Sequence, residues 1–162
     1  GPIAFRYPRG EGTGTALPER GQPLAIGRGR IVREGSTIAL LSWGARLGEC
    51  LKAADQLAAH GIHPTVADAR FAKPLDASLV ADLIRNHALV LTVEEGACGG
   101  FGAQVLSHTT NAGLLDDGHC RLRVLTLPDV FQAQDTQANQ LAEAGLDAAH
   151  IANKTLETIE IN

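Results

Sequence analysis

Methionine is absent from the 162 residues, and aromatic side chains are scarce, with one Trp, one Tyr and four Phe. A chain that opens Gly1-Pro2 and holds no Met is expected to be a piece of a longer protein. Cysteine is sparse as well: Cys50, Cys98 and Cys120 are odd in number and form no C-x-x-C pair. That pattern excludes a disulfide framework and suits a reducing, cytoplasmic setting. No apolar run approaches the roughly 20 residues a bilayer-spanning helix needs, so neither a membrane partner nor a signal peptide is expected. Common enzyme signatures are missing too. There is no Walker loop, and Ser42 is followed by Trp43-Gly44 but preceded by leucines, so it is no nucleophile elbow.

What remains is an ordinary globular balance of 44% hydrophobic and 20% charged residues. A chain of this length buries about 70% of its unfolded surface, which favours a single core. The net charge of −4 is unevenly placed. Residues 1–33 carry six Arg and two Glu, whereas residues 34–162 carry eight Lys or Arg against sixteen Asp or Glu. The acidic bulk argues against nucleic acid, and the basic arm points to a small anion.

Residues 1–35 are rich in Gly, Pro and Arg without periodicity and read as an extended arm, with a short edge strand over Ala25–Val32. This divides the chain into a basic arm, 1–24, and a domain, 25–162. From Ser36 strands and helices alternate. Thr37–Leu41, Pro64–Asp68, Ala88–Val93 and Leu122–Leu127 are apolar runs of strand length. Helical spacing links Leu47, Cys50, Leu51, Ala54, Leu57 and Ala58, with Gly61 as a stop. It also links Leu79, Val80, Leu83 and Ile84. Residues 102–112, Gln137–Ala144 and a stripe from Ala148 to Ile159 read as further helices. The expected fold is a three-layer α/β/α sandwich with a mostly parallel five-stranded sheet.

Six segments are weighed for chemistry. Gly99-Gly100-Phe101-Gly102, between a strand and a helix, either receives an anion on backbone N–H groups or lets the helix pack closely. Glu94-Glu95 just before it are acid/base candidates, or else cap or pair locally, for instance with an Arg from a neighbouring strand. His60 and His63 straddle Gly61 and would not share a face, while Asp116, Asp117, His119 and Cys120 read as a polar turn better than as metal ligands, so no metal is assigned. The run Asp68 to Asp76, ending Lys73-Pro74-Leu75-Asp76, reads as a tied-down loop in which Asp68 and Arg70 lie on one side of an extended backbone and form a short ion pair. Finally, Pro8 in Arg6-Tyr7-Pro8-Arg9-Gly10 restricts the chain so that Arg9 is presented to a phosphate or carboxylate; a solvated basic tail is the alternative.

Taken together, Gly1 to Gly10, Asp68-x-Arg70-Phe71-x-Lys73-Pro74-Leu75-Asp76, Val93-Glu94-Glu95-Gly96-Ala97-x-Gly99-Gly100-Phe101-Gly102, Leu127-Pro128-Asp129-x-Phe131 and Glu143 to Asp147 resemble the C-terminal part of the 1-deoxy-D-xylulose-5-phosphate synthases. The resemblance runs in order to about Ile159. The Pro-Leu-Asp and Glu-Glu pieces are shared with the wider transketolase and pyruvate dehydrogenase beta-chain superfamily, whereas the Arg-Tyr-Pro-Arg-Gly opening is more specific to the synthases. The resemblance implies a transferase joining pyruvate and D-glyceraldehyde 3-phosphate with thiamine diphosphate and Mg²⁺, releasing CO₂. Its product serves isoprenoid, thiamine and pyridoxal synthesis. It assigns the substrate phosphate to Arg9 and arm placement to Arg6 and Tyr7, and implies a homodimer whose sheet has one antiparallel edge strand. The Gly-Asp-Gly…Asn segment and the Glu that hold and activate the cofactor are missing, so catalytic residues, thiamine diphosphate and Mg²⁺ belong to other domains of the enzyme. By itself the piece is expected to be inactive and to bind no cofactor. Cys98 is a small departure, standing where the family often has an aliphatic residue. The alternative is a non-catalytic, subunit-docking C-terminal domain of a pyruvate dehydrogenase beta-chain-like protein. A free-standing nucleotide- or anion-binding protein using Gly99–Gly102 ranks behind both.

Overall fold

The longest apolar run, around Ala88–Val93, lies inside the sheet and is buried on both faces, as a parallel strand under two helical layers must be. The computed structural model describes residues 18–160 together with 2, 12, 14 and 16. Arg6, Tyr7 and Arg9 lie outside the described residues. In chain order the elements are β1 (Arg30–Arg33), β2 (Thr37–Trp43), α1 (Leu47–Ala58), β3 (Thr65–Asp68), α2 (Ala77–Asn86), β4 (His87–Glu94), α3 (Phe101–Asn111), β5 (Arg121–Leu125), α4 (Gln137–Glu143) and α5 (Ala148–Glu160). A 3-10 turn at Gly44–Arg46 joins β2 to α1.

The strands stand in the order β1-β3-β2-β4-β5, with β1 antiparallel to β3 and every other pair parallel. Alternation along the strands feeds two cores. Ile38, Leu40, Leu89, Leu91 and Val93 pack against Cys50, Ala53 and Leu57 of α1 and Ile151 and Ala152 of α5. Ala39, Leu41 and Val90 meet Val80, Leu83 and Ile84 of α2 and Phe101 and Val105 of α3. The result is the expected three-layer sandwich with one antiparallel edge strand. No helix among the described residues is long and apolar enough to cross a membrane.

Element ends differ from the sequence reading where glycine or a distant partner intervenes. The edge strand starts at Arg30 rather than Ala25, because Gly27 sits at φ +69° in a turn closed by Arg28 N–H donating to Ala25 C=O at 3.2 Å. At the other edge β5 stops at Leu125 rather than Leu127. There the Leu127 N–H donates to Gly96 C=O at 2.9 Å and draws the chain over the β4–α3 turn.

The cysteines separate by burial. Burial pushes the Cys50 thiol up to about 12, against opposing contacts from Ser42 and Arg46. Burial likewise pushes Cys120 up to about 11. Cys98 is exposed in the β4–α3 turn. The thiolate is the reactive form, so iodoacetamide at pH 8 is expected to modify only Cys98 of the folded chain, and all three thiols once urea unfolds it. Mass spectrometry of the two samples checks this; a second adduct on the native chain would contradict the buried placement.

Candidate functional site

The carboxyl ends of the strands converge where the strand order reverses, between β2 and β4, the place where open α/β sheets receive ligands. Here side chains from the ends of these strands pack on the residues that follow them. The Trp43 ring, at the end of β2, stacks on Phe101 at the start of α3, with centroids 6.0 Å apart and planes 20° apart. Arg46, largely buried in the 3-10 turn, places Nη2 at 3.3 Å from Glu95 Oε2.

Glu94 settles the two readings of the glycine-rich turn. Its carboxylate is buried and accepts from Phe101 N–H at 2.9 Å and from Gly102 N–H at 2.8 Å. It therefore occupies the amino terminus of α3, where the unsatisfied N–H groups and the helix dipole favour a negative charge. An external anion has no access to these two N–H groups. The glycines make room for this arrangement. A Cβ at Gly100 would lie 2.5 Å from Glu94 Oε2, and one at Gly102 would lie 2.4 Å from Val124 Cγ1. Glu94 is thus a cap and Glu95 a partner of Arg46, the local roles weighed against acid/base work.

The loop from Asp68 to Asp76 holds the stretch Arg28–Arg30, which leads from the basic arm into β1. Asp76 caps α2, accepting from Leu79 N–H at 3.1 Å and Ser78 Oγ–H at 2.8 Å. Its other oxygen accepts from Gly29 N–H at 2.9 Å, and Arg28 lies 3.6 Å away while donating to Ser78 Oγ at 3.0 Å. One strand further in, Arg30 Nε donates to Asp68 Oδ2 at 3.2 Å. Gly29 is pressed close to this loop: a Cβ there would sit 2.8 Å from Asp68 C=O. The Asp68–Arg70 pair forms too, at 3.8 Å, but not through an extended backbone. Arg70 has φ +57°, and its N–H turns back to Asp68 Oδ1 at 3.1 Å.

Partial burial pushes the Asp76 carboxyl up, but hydrogen bonds from Leu79, Ser78 and Gly29 and the Arg28 charge outweigh it and hold the group below its ordinary value. A carboxylate held low in the folded state stabilises the fold above its unfolded-state pKa, near 3.9, and that contribution disappears as pH falls through the folded value. Removing the cap by Asp76→Ala is expected to cost about 1–2 kcal/mol at pH 7. The penalty should shrink below about pH 4, where the carboxyl of the unfolded wild-type chain takes up its proton before that of the folded one. Urea titrations at pH 7 and pH 3 check both parts; a penalty equal at the two values would remove the charge from the argument.

Among the described residues no group of three His, Cys, Asp or Glu side chains converges as a metal site would. Asp117 accepts from His119 N–H at 2.9 Å, which accounts for the Asp116–Cys120 cluster as a turn. Of two contacts between distant elements, the first has no counterpart in the sequence, and the second takes its Arg from the turn after β2 rather than from a neighbouring strand. Glu49 Oε2 accepts from Ala148 N–H at 2.9 Å, capping α5 across 99 positions, and Arg46 is the partner of Glu95. Both follow from elements that meet only in the folded chain; the one local signal for Arg46 is a basic residue just after a strand and a glycine.

With this geometry in hand, comparison with known proteins is informative. The model of the family described as "Transketolase, C-terminal domain" matches residues 27–151. A solved split-gene transketolase, an inactive beta4 tetramer, superposes with a TM-score of 0.71 at 28% identity, over 87% of this chain and 46% of that one. A transketolase from Campylobacter jejuni subsp. jejuni shares the fold with a TM-score of 0.55 at 16% identity, over 80% of this chain and 18% of its own. The chain therefore spans less than half the length of either structure.

Proposed function

The chain belongs to the transketolase C-terminal domain family, and from that premise we propose that it is the C-terminal domain of a 1-deoxy-D-xylulose-5-phosphate synthase. On this reading it delivers Arg9 to the phosphate of D-glyceraldehyde 3-phosphate while Arg6 and Tyr7 place the arm. The observation that carries the reading is the combination of the Arg6-Tyr7-Pro8-Arg9-Gly10 opening with the Asp68-to-Asp76 loop that holds Gly29 and Arg30, a few residues past the end of that arm. From Gly27 to Arg9 there are 27 − 9 = 18 residues. Fully extended they reach roughly 60 Å, enough to cross to a neighbouring domain or a second subunit of a homodimer.

The described residues do not fit thiamine diphosphate or Mg²⁺. The one glycine-rich helix start is taken by Glu94, and Asp68, Asp76 and Glu95 are engaged with Arg or backbone partners. The cofactor is then held by the other domains of the parent enzyme, and this chain supplies an arm, the loop that holds the stretch after it and a docking platform, all in the cytoplasm. The second reading, a subunit-docking domain of a pyruvate dehydrogenase beta-chain-like protein, draws on the similarity to the split-gene transketolase described as an inactive beta4 tetramer. The parent protein separates the two. Given thiamine diphosphate, Mg²⁺ and pyruvate, a synthase is expected to form a ketose phosphate with CO₂ only when D-glyceraldehyde 3-phosphate is added. Pyruvate turnover indifferent to that aldehyde would favour the docking domain.

A further inference from the structure

The two edges of the sheet are finished differently. At β1 the register against β3 shifts between Ile31 and Arg33, and the strand leads out of the stretch clamped at Gly29. At β5 the register against β4 runs without a break from Leu89↔Arg121 to Val93↔Leu125. The outer side of β5 pairs with no further strand among the described residues. A register shift blunts the first edge, while the second runs unbroken with no strand beyond it among the described residues, and Arg123 Nη1 folds back to donate to the Leu122 C=O at 2.9 Å, a contact an incoming strand would replace.

Side chains on the two faces of β5 then specify what this edge can accept. Arg121, Arg123 and Leu125 share the face turned to α5, as the Arg121 Nη1–H donating to Thr158 C=O shows. Along this face runs a cleft of about 300 Å³ between β5 and α5, lined by Arg123, Leu125, His150, Asn153, Lys154 and Glu157. Glu157 is held by Lys154 at 3.1 Å, and Arg123 has no acidic partner among the described residues. On the opposite face Val124 is 38% exposed beside Gly102 of α3, and Leu106, one turn along that helix, is 46% exposed.

We propose that the open edge of β5 is a docking site for an extended, acidic segment of a partner polypeptide, added as a sixth strand. Its carboxylates face Arg123 and the cleft, and its apolar residues face Val124 and Leu106. Main-chain bonds supply affinity, and the alternating side chains supply selectivity. A second copy of this chain is a poor occupant. Two-fold antiparallel pairing about the middle of β5 sets Arg123 opposite the other Arg123, and like charges directly opposed are destabilising. The inference is independent of the reaction assigned above.

A capped heptapeptide of alternating Glu and Val, titrated into the ¹⁵N-labelled 162-residue chain, tests it. The amide resonances of residues 121–125 are expected to shift and their hydrogen exchange to slow. The Lys-for-Glu counterpart is expected not to bind. Arg123→Glu should weaken the acidic peptide at least roughly tenfold, as loss of a close charge pair does. Arg123→Gln, which keeps the length without the charge, should fall between. Equal binding of both peptides, no response of residues 121–125 at millimolar peptide, or full affinity in Arg123→Glu would overturn the proposal. So would concentration-dependent protection of these amides in the chain alone, which would make the second copy the occupant.

Discussion

In the proposed synthase, Arg9→Ala is expected to raise the KM for D-glyceraldehyde 3-phosphate roughly 10- to 150-fold and to leave the KM for pyruvate unchanged. The range is a charge-assisted contact of about 1.5–3 kcal/mol expressed as a ratio of affinities. Pyruvate carries no phosphate, so a contact confined to the phosphate cannot alter its binding. Arg9→Lys separates charge from shape. It keeps a positive group but loses the planar fork that grips a phosphate through two parallel bonds, so it should recover only part of the loss. Steady-state kinetics with each substrate varied in turn reads all of this. If both KM values rise together, Arg9 acts only by holding the arm in place; if neither moves, it is a solvated residue and the synthase assignment loses its chemical support.

How much of this was legible in the sequence depends on whether the deciding contacts are local. The sheet was legible because buried parallel strands must be largely apolar on both faces, as Ile38–Leu41 is throughout and Leu89–Val93 is but for the buried Thr92. The helix over Leu47–Ala58 was legible because its core side, Cys50, Ala53, Ala54 and Leu57, repeats at helical spacing. The Asp68–Arg70 pair was read correctly for the wrong reason: two residues apart suggested an extended strand, whereas a left-handed Arg70 makes the contact. Nothing in the spacing of Gly29 and Asp76, 47 positions apart, announces that one bonds to the other. The same holds for Arg46 with Glu95. Such pairs are fixed by the sheet order, which brings together loops that leave the same end of different strands. The acid/base reading of Glu94 and the anion reading of the glycines were two halves of one arrangement, since the carboxylate of the first fills the helix end prepared by the second.

That arrangement yields the largest stability effect expected in the domain. Glu94→Ala leaves the Phe101 and Gly102 N–H groups without partners in a place closed to water, where the Glu94 side chain is 1% exposed. Hydrogen bonds to charged groups contribute about 1.5–3 kcal/mol each, so losing two costs on the order of 3–5 kcal/mol even with some relaxation. For a domain of this size that lowers Tm by roughly 6–20 °C. Glu94→Gln is the sharper test. It preserves volume but offers one accepting oxygen and turns an NH₂ toward the second backbone N–H, donor against donor, so it should retain less than half of the lost stability. Calorimetric melts of the three chains decide between the alternatives. A Gln variant as stable as the wild type would mean that Glu94 fills space, and the amino terminus of α3 would again be open to an anion from outside.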